Sequence, residues 1–176
     1  GDSKVRAIAL ARKAEYSTNV SVEDIPRARS MAVEASEAAT SADEEARQIS
    51  DYALAWVRAL AGETGGEVEE QTVANPRDEY HLVDSLERIA ALKLMWSGDI
   101  PAAREALGEL LLCADDRGEG ASYFTLRLHL CDLELRAGNW DAAALLLEET
   151  EQSVGTSEPQ QSARVRYRAL LAAGRG

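Results

Sequence analysis

SGDIPAAREALGELLLCAD (97–115) and AGNWDAAALLLEETEQSVG (137–155) spell the same phrase forty residues apart, with Gly98 answering Gly138 and Ala103 answering Ala143. A glycine turn, a polar capping residue and an apolar stripe that recur at a fixed offset mark helix-turn-helix units. Such units cannot bury their apolar faces alone, so they stack into an array. The first phrase opens at Asp99, a good N-cap, with Pro101 in the first turn, where its missing N–H removes no helical bond. Ala103, Ala106, Leu107, Leu110, Leu111 and Ala114 then recur at steps of three and four, while Arg104, Glu105 and Glu109 take the other side. That is a one-faced outer helix, and Gly118 with Gly120 is expected to end it.

The next helix, about residues 121–137, differs in kind. Leu126, Leu130 and Leu133 line one face and Leu128 with Leu135 another, which predicts an inner helix sandwiched between neighbours. Gly138 stops it, Asn139 or Asp141 caps its successor, and Ala143, Leu146, Leu147 and Thr150 rebuild the one-faced pattern. Upstream, Ile25-Pro26-Arg27-Ala28-Arg29 echoes Ile100-Pro101-Ala102-Ala103-Arg104 and predicts an outer helix over 25–40. An inner helix over 42–61 follows, carrying Ile49, Tyr52, Ala53, Trp56, Val57 and Leu60 and ending at Gly62.

The stretch 63–77, ETGGEVEEQTVANPR, is expected to be a degenerate repeat or loop, since Gly65-Gly66 and Asn75-Pro76 are breakers and apolar positions are scarce. An inner helix is expected again over 80–97, and Glu158-Pro159 opens a last helix over about 160–173. Together these predict one all-α helical-repeat domain spanning 1–176. The chain starts without methionine and almost at once inside a helical pattern, so it reads as a segment of a longer protein, with residues 1–3 a cloning remnant.

Composition narrows the function classes. The chain is 45% hydrophobic and 28% charged, within the range of folded globular domains, and only 5% aromatic. A net charge of −12 repels a phosphate backbone, and the reading excludes nucleic acid as a partner of this region. No apolar run reaches the roughly 20 residues that span a bilayer, no signal peptide opens the chain, and Cys113 and Cys131 make no disulfide or zinc spacing. The expected setting is the cytoplasm, with no membrane partner.

Candidate chemistry is sparse. His129, Cys131 and Asp132 invite a metal or nucleophile reading, but residues two apart on a helix diverge, and the spacing favours a packed or hydrogen-bonded histidine. The acidic clusters Glu67, Glu69, Glu70 and Glu148, Glu149, Glu151 lack the ligand pattern of a calcium loop and read as solvated faces. No cofactor, metal or catalytic residue is assigned, and the region reads as a non-enzyme. With the phase set by Gly62, Gly98 and Gly138, Tyr52, Trp56, Arg88, Trp96, Thr125, Asp132 and Arg136 project toward a concave groove. Aromatic and arginine side chains there suit binding anchors; the same spacing also suits Trp56 and Trp96 as packing in an alanine-rich core.

Small residues before the turn, Gly98 or Gly138 in it and Ala103 or Ala143 one turn later match the tetratricopeptide pattern, although Glu134 stands where an aromatic is usual. The wording LCDLELRAGNWDAAALLLEE (130–149) and the stretch 97–130 before it resemble the sensor region of large ATP-dependent LuxR-type transcriptional regulators of actinobacteria. The likeness is good over 80–153 and weaker but in phase over 5–62. It implies a tetratricopeptide-like right-handed superhelix of antiparallel helix pairs that receives a small-molecule inducer or a protein or peptide partner. In that family a nucleotide-binding module precedes the repeats and a DNA-reading helix-turn-helix follows. Neither lies within 1–176, since GETGGE at Gly62 lacks the length and lysine of a phosphate loop. The alternative is a tetratricopeptide adaptor holding a partner peptide in its groove.

Overall fold

The computed structural model describes residues 2–20, 24–63, 81–151 and 158–175. Among the described residues there are eight α-helices and no strand: α1 (Asp2–Val20), α2 (Ile25–Ala39), α3 (Glu44–Leu60), α4 (Leu86–Ser97), α5 (Ile100–Asp116), α6 (Gly120–Arg136), α7 (Trp140–Glu151) and α8 (Glu158–Arg175). None of these helices is long and apolar enough to cross a membrane. The chain divides into two compact units, Gly1–Pro76 and Arg77–Gly176.

In the first unit α1, α2 and α3 each pack on the other two. Alanine makes this possible. Ala7, Ala11 and Ala14 of α1, Ala28, Ala32 and Ala35 of α2, and Ala46 and Ala53 of α3 have no exposed surface, and methyl groups at a crossing let helix axes approach closely. The helix expected from Ile25 is α2, with Pro26 in its first turn. The inner helix expected over 42–61 starts at Glu44, because Asp43 accepts the Ala46 N–H at 3.1 Å and so fixes the cap. Lys4 then ties α1 to that end of α3, reaching Asp43 at 2.7 Å and Glu45 at 2.6 Å. Beyond Glu63, the expected degenerate stretch lies outside the described residues.

In the second unit α4 to α8 pack in chain order, and α8 also packs on α6. The turns are near copies of one another. Gly98 and Gly138 hold φ of +90° and +77°, where a side chain would be strained. The residue after each glycine donates its N–H back to the helix just ended: Asp99 to Leu94 at 3.0 Å and Asn139 to Glu134 at 2.8 Å. The same residues' carbonyls accept from Ala103 and Ala143, both at 3.0 Å, and open the next helix. Gly118 and Glu119 repeat the arrangement, with Glu119 donating to Ala114 at 2.9 Å and accepting from Tyr123 at 2.9 Å. The sequence offset between Gly98 and Gly138 is therefore two structural steps, with Gly118 midway.

Expected boundaries also move between α4 and α6. Gly120 does not help end α5; it is the first residue of α6, since Gly118 and Glu119 already complete the turn. The inner helix expected from residue 80 begins only at Leu86, where Ser85 accepts the Arg88 N–H at 3.2 Å. Ahead of it Leu82–Asp84 forms a single 3₁₀ turn, held from α6 and the turn before it. Glu119 accepts the Leu82 N–H at 2.8 Å and Ser122 accepts the Val83 N–H at 3.1 Å.

The inward faces follow the sequence pattern. Ala103, Leu107, Leu110 and Ala114 of α5 are buried, and α6 is buried on two sides, through Leu126 and Leu133 on one and Leu128 with Cys131 on the other. Phe124, Leu128 and Cys131 of α6 form one core with Ala143 and Leu147 of α7 and Tyr167 and Leu171 of α8. The last helix runs beyond its expected bounds at both ends. Its Gly174 lies under the Trp140 ring, where an added Cβ would come within 2.4 Å of Cζ3, which brings the end of α8 to the start of α7.

Candidate functional site

Thr125, His129, Asp132 and Arg136 recur at steps of four, three and four on α6, which puts them on one face. Thr125 donates its hydroxyl to the Ala121 carbonyl at 3.0 Å, so part of its polarity is spent within the helix. Asp132 and Arg136 pair at 3.2 Å. Between these groups His129 meets Arg88 of α4, with Nη1 and Nε2 3.0 Å apart. A guanidinium can only donate, so Nε2 accepts, the ring is neutral and its proton sits on Nδ1. Burial above all, and then the positive charges of Arg88 and Arg166, push the His129 pKa down to about 3. The packed, hydrogen-bonded histidine expected from the spacing is what the structure shows.

The contact joins helices that are not neighbours in sequence. From α8, Arg166 lies over the Tyr167 ring, 4.8 Å from its centroid, and donates to its hydroxyl at 2.9 Å. Burial, followed by the negative charge of Asp132, raises the Tyr167 hydroxyl pKa. α4, α6 and α8 thus bring together a mixed patch in which Arg88 and Tyr167 are the buried members and Arg136 and Arg166 the exposed ones. Trp96 stands two turns beyond Arg88 at the end of α4 and is 38% exposed.

Tyr52 and Trp56 belong to the other unit. Tyr52 is a core residue of the three-helix bundle and leaves almost nothing for a ligand to touch. Trp56 is half-buried, packs on the cluster that α1, α2 and α3 form around Met31, Leu54 and Val57, and donates its indole N–H to Thr18 of α1 at 3.1 Å. Of the seven groove candidates, Arg88, Thr125, Asp132 and Arg136 are brought together around His129. Trp96 lies on the same helix as Arg88, and Tyr52 and Trp56 serve the packing of their own unit.

Two carboxylates that sequence reasoning assigned to no site are central to the frame. Glu134, 6% exposed, accepts from Arg104 Nε at 2.6 Å, Arg104 Nη2 at 3.0 Å and Asn139 Nδ2 at 2.6 Å. The Arg104 hydrogen bonds hold its carboxyl below the usual carboxylate range, with a further contribution from Asn139. Its place in the repeat, where an aromatic was expected, was the visible signal. Burial pushes Glu119 upward, but bonds from Ser122, the Leu82 N–H and Arg117 outweigh it, and its carboxyl also ends below the usual value. Burial makes Cys131 a poor thiolate, with a pKa pushed up to about 11, and its thiol donates to the Ala143 carbonyl at 3.4 Å. Among the described residues no group of three or more His, Cys, Asp or Glu side chains stands together as a metal site.

The face of α6 carries fixed donors and acceptors, and Trp96 stands exposed at the end of α4. No family model, curated protein or solved structure matches this chain.

Proposed function

We propose that this chain is the helical-repeat sensor region of a LuxR-type bacterial transcriptional regulator, a cytoplasmic tetratricopeptide-like superhelix that takes a small-molecule inducer or a protein partner on its concave side. The observation that carries the reading is the Arg88–His129 contact within a run of near-identical glycine turns. α4 and α6, which share no turn, are joined by that one polar contact, and α6 packs on α8, the alternation that inner helices of a stacked array would show. Thr125, Asp132 and Arg136 are the binding face of the second unit, with Arg88 buried beneath it against His129 and Trp96 at its edge. The wording of 97–149 supports the family placement by likeness alone.

Reading the gene outward in frame tests the placement. A phosphate-binding loop upstream and a helix-turn-helix downstream are expected. A frame carrying neither would overturn the regulator reading.

A further inference from the structure

The Arg88–His129 contact uses only one side of the imidazole. Nε2 accepts from Arg88, so the ring proton sits on Nδ1, and the two ring nitrogens point apart. Among the described residues nothing accepts from Nδ1. The ring is half-buried and keeps part of its surface open on the α6 face that also carries Thr125 and Asp132.

The charge around this N–H is one-sided. His129 feels the guanidinium of Arg88 from α4 and that of Arg166 from α8 and, among the described residues, no carboxylate. Arg166 rests on Tyr167, whose hydroxyl stays protonated because burial raises its pKa, so that contact leaves the Arg166 charge in place. Asp132, the carboxylate of the same face, is paired with Arg136 at 3.2 Å. The chain as a whole carries −12, so a donor lying in the field of two arginines runs against its general charge. A fixed N–H in a positive, half-buried setting favours an acceptor that bears negative charge, and it repels cations.

We propose that the His129 Nδ1–H donates to an oxyanion, the carboxylate or phosphate group of a small molecule, bound on the face of α6 that Arg88 and Arg166 approach. The inference rests on the small-molecule reading of this face and names the group that the face recognises. Arg88 is a positioning residue here: it fixes the tautomer from beneath and adds charge without having to reach the ligand.

Nitrogen-detected magnetic resonance of the His81→Asn chain, which keeps His129 as its one imidazole, tests this. Sodium acetate and inorganic phosphate are titrated separately at pH 7 to about 100 mM, where one charge-assisted hydrogen bond is measurable, against sodium chloride at matched ionic strength. At least one of the two anions should shift the Nδ1 signal saturably, and the tighter of them gives the class of the ligand. Acetamide, which has the shape of acetate without its charge, should leave Nδ1 unmoved. Arg166→Gln keeps a donor for Tyr167 but removes the charge, and it should weaken binding about threefold or more; Arg168→Gln, at an exposed site of the same helix, should bind as the parent does. Circular dichroism melts of both variants should match the parent. An Nδ1 signal indifferent to both anions overturns the proposal, as does an equal response to acetamide or an Arg166→Gln chain that binds like Arg168→Gln. If the flanking modules are present in frame and no anion moves Nδ1, this inference alone falls; if an anion binds and neither module is there, the site stands and the regulator reading falls.

Discussion

Replacing Arg104 with alanine tests how the turn between α6 and α7 is built. The change removes both guanidinium bonds to Glu134 and leaves a carboxylate that is 6% exposed with Asn139 as its remaining donor. Breaking a buried ion pair by removing one partner costs about 3–5 kcal/mol. The Arg104 side chain is itself 43% exposed, and water entering the space it leaves will reach Glu134, so a loss of about 2–3 kcal/mol is expected. In the wild type the lowered Glu134 pKa contributes stability that is present above the unfolded carboxylate value, about 4.3, and lost as pH falls through the lower folded one. The variant lacks the main cause of that lowering, so its deficit should be largest near neutrality and shrink below about pH 4. Urea unfolding followed by circular dichroism at pH 7 and pH 3.5 measures both. Arg104→Leu with Glu134→Leu should recover most of the loss, because the buried charge goes with its partner. An Arg104→Ala midpoint equal to wild type at pH 7, or a deficit that grows on acidification, would refute the reasoning.

Ala103→Glu and Ala143→Glu should each unfold or severely destabilise the chain, since both positions are fully buried and an unpaired buried charge costs several kcal/mol; Glu105→Ala, at an exposed site, should shift the melt by under about 0.5 kcal/mol. Stability should fall as pH drops from about 6.5 toward 3, because the unfolded chain protonates His129 in that window while the folded ring stays neutral, and His129→Asn should flatten that slope in melts taken across it. Gly174→Ala drives a methyl into the Trp140 ring. The half-exposed indole can swing aside, so a loss near 1 kcal/mol is expected together with a shift in tryptophan emission. The chain should not retard DNA in a gel at physiological salt, because a charge of −12 opposes the polyanion; retardation that competes away with added salt would contradict this.

The helices and their phase were legible because their signals are local. Gly98 and Gly138 with the following Asp99 and Asn139 announced turns, and the three- and four-residue steps of Ala103, Leu107, Leu110 and Ala114 announced a buried face. The start of α4 was misplaced because Leu82 and Val83 continue an apolar pattern, whereas what breaks the helix there is held from Glu119 and Ser122, far along the chain. Gly120 was misread because a second glycine near a terminator looks like more of the same, and only the Glu119 bonds show the next helix already under way. At the candidate site the spacing of Thr125, Asp132 and Arg136 gave their shared face. It could not give the partner of His129, which arrives from another helix, nor show that Tyr52 spends its ring inside a bundle. Glu134 stood out as an oddity in the repeat, and its reason lies in Arg104 thirty residues away.

α4 meets α6 at the Arg88–His129 contact, and the proposed binding face depends on that contact. The His129 ring reports this directly. In a His81→Asn background, which leaves one imidazole, nitrogen-detected magnetic resonance should show a neutral ring protonated on Nδ1 and unchanged from pH 7 down to about 4.5, and Arg88→Ala should alter the Nε2 signal. A His129 ring that titrates near 6.5, with an Nε2 shift indifferent to Arg88, would mean that the two helices do not meet and that the shared face does not exist.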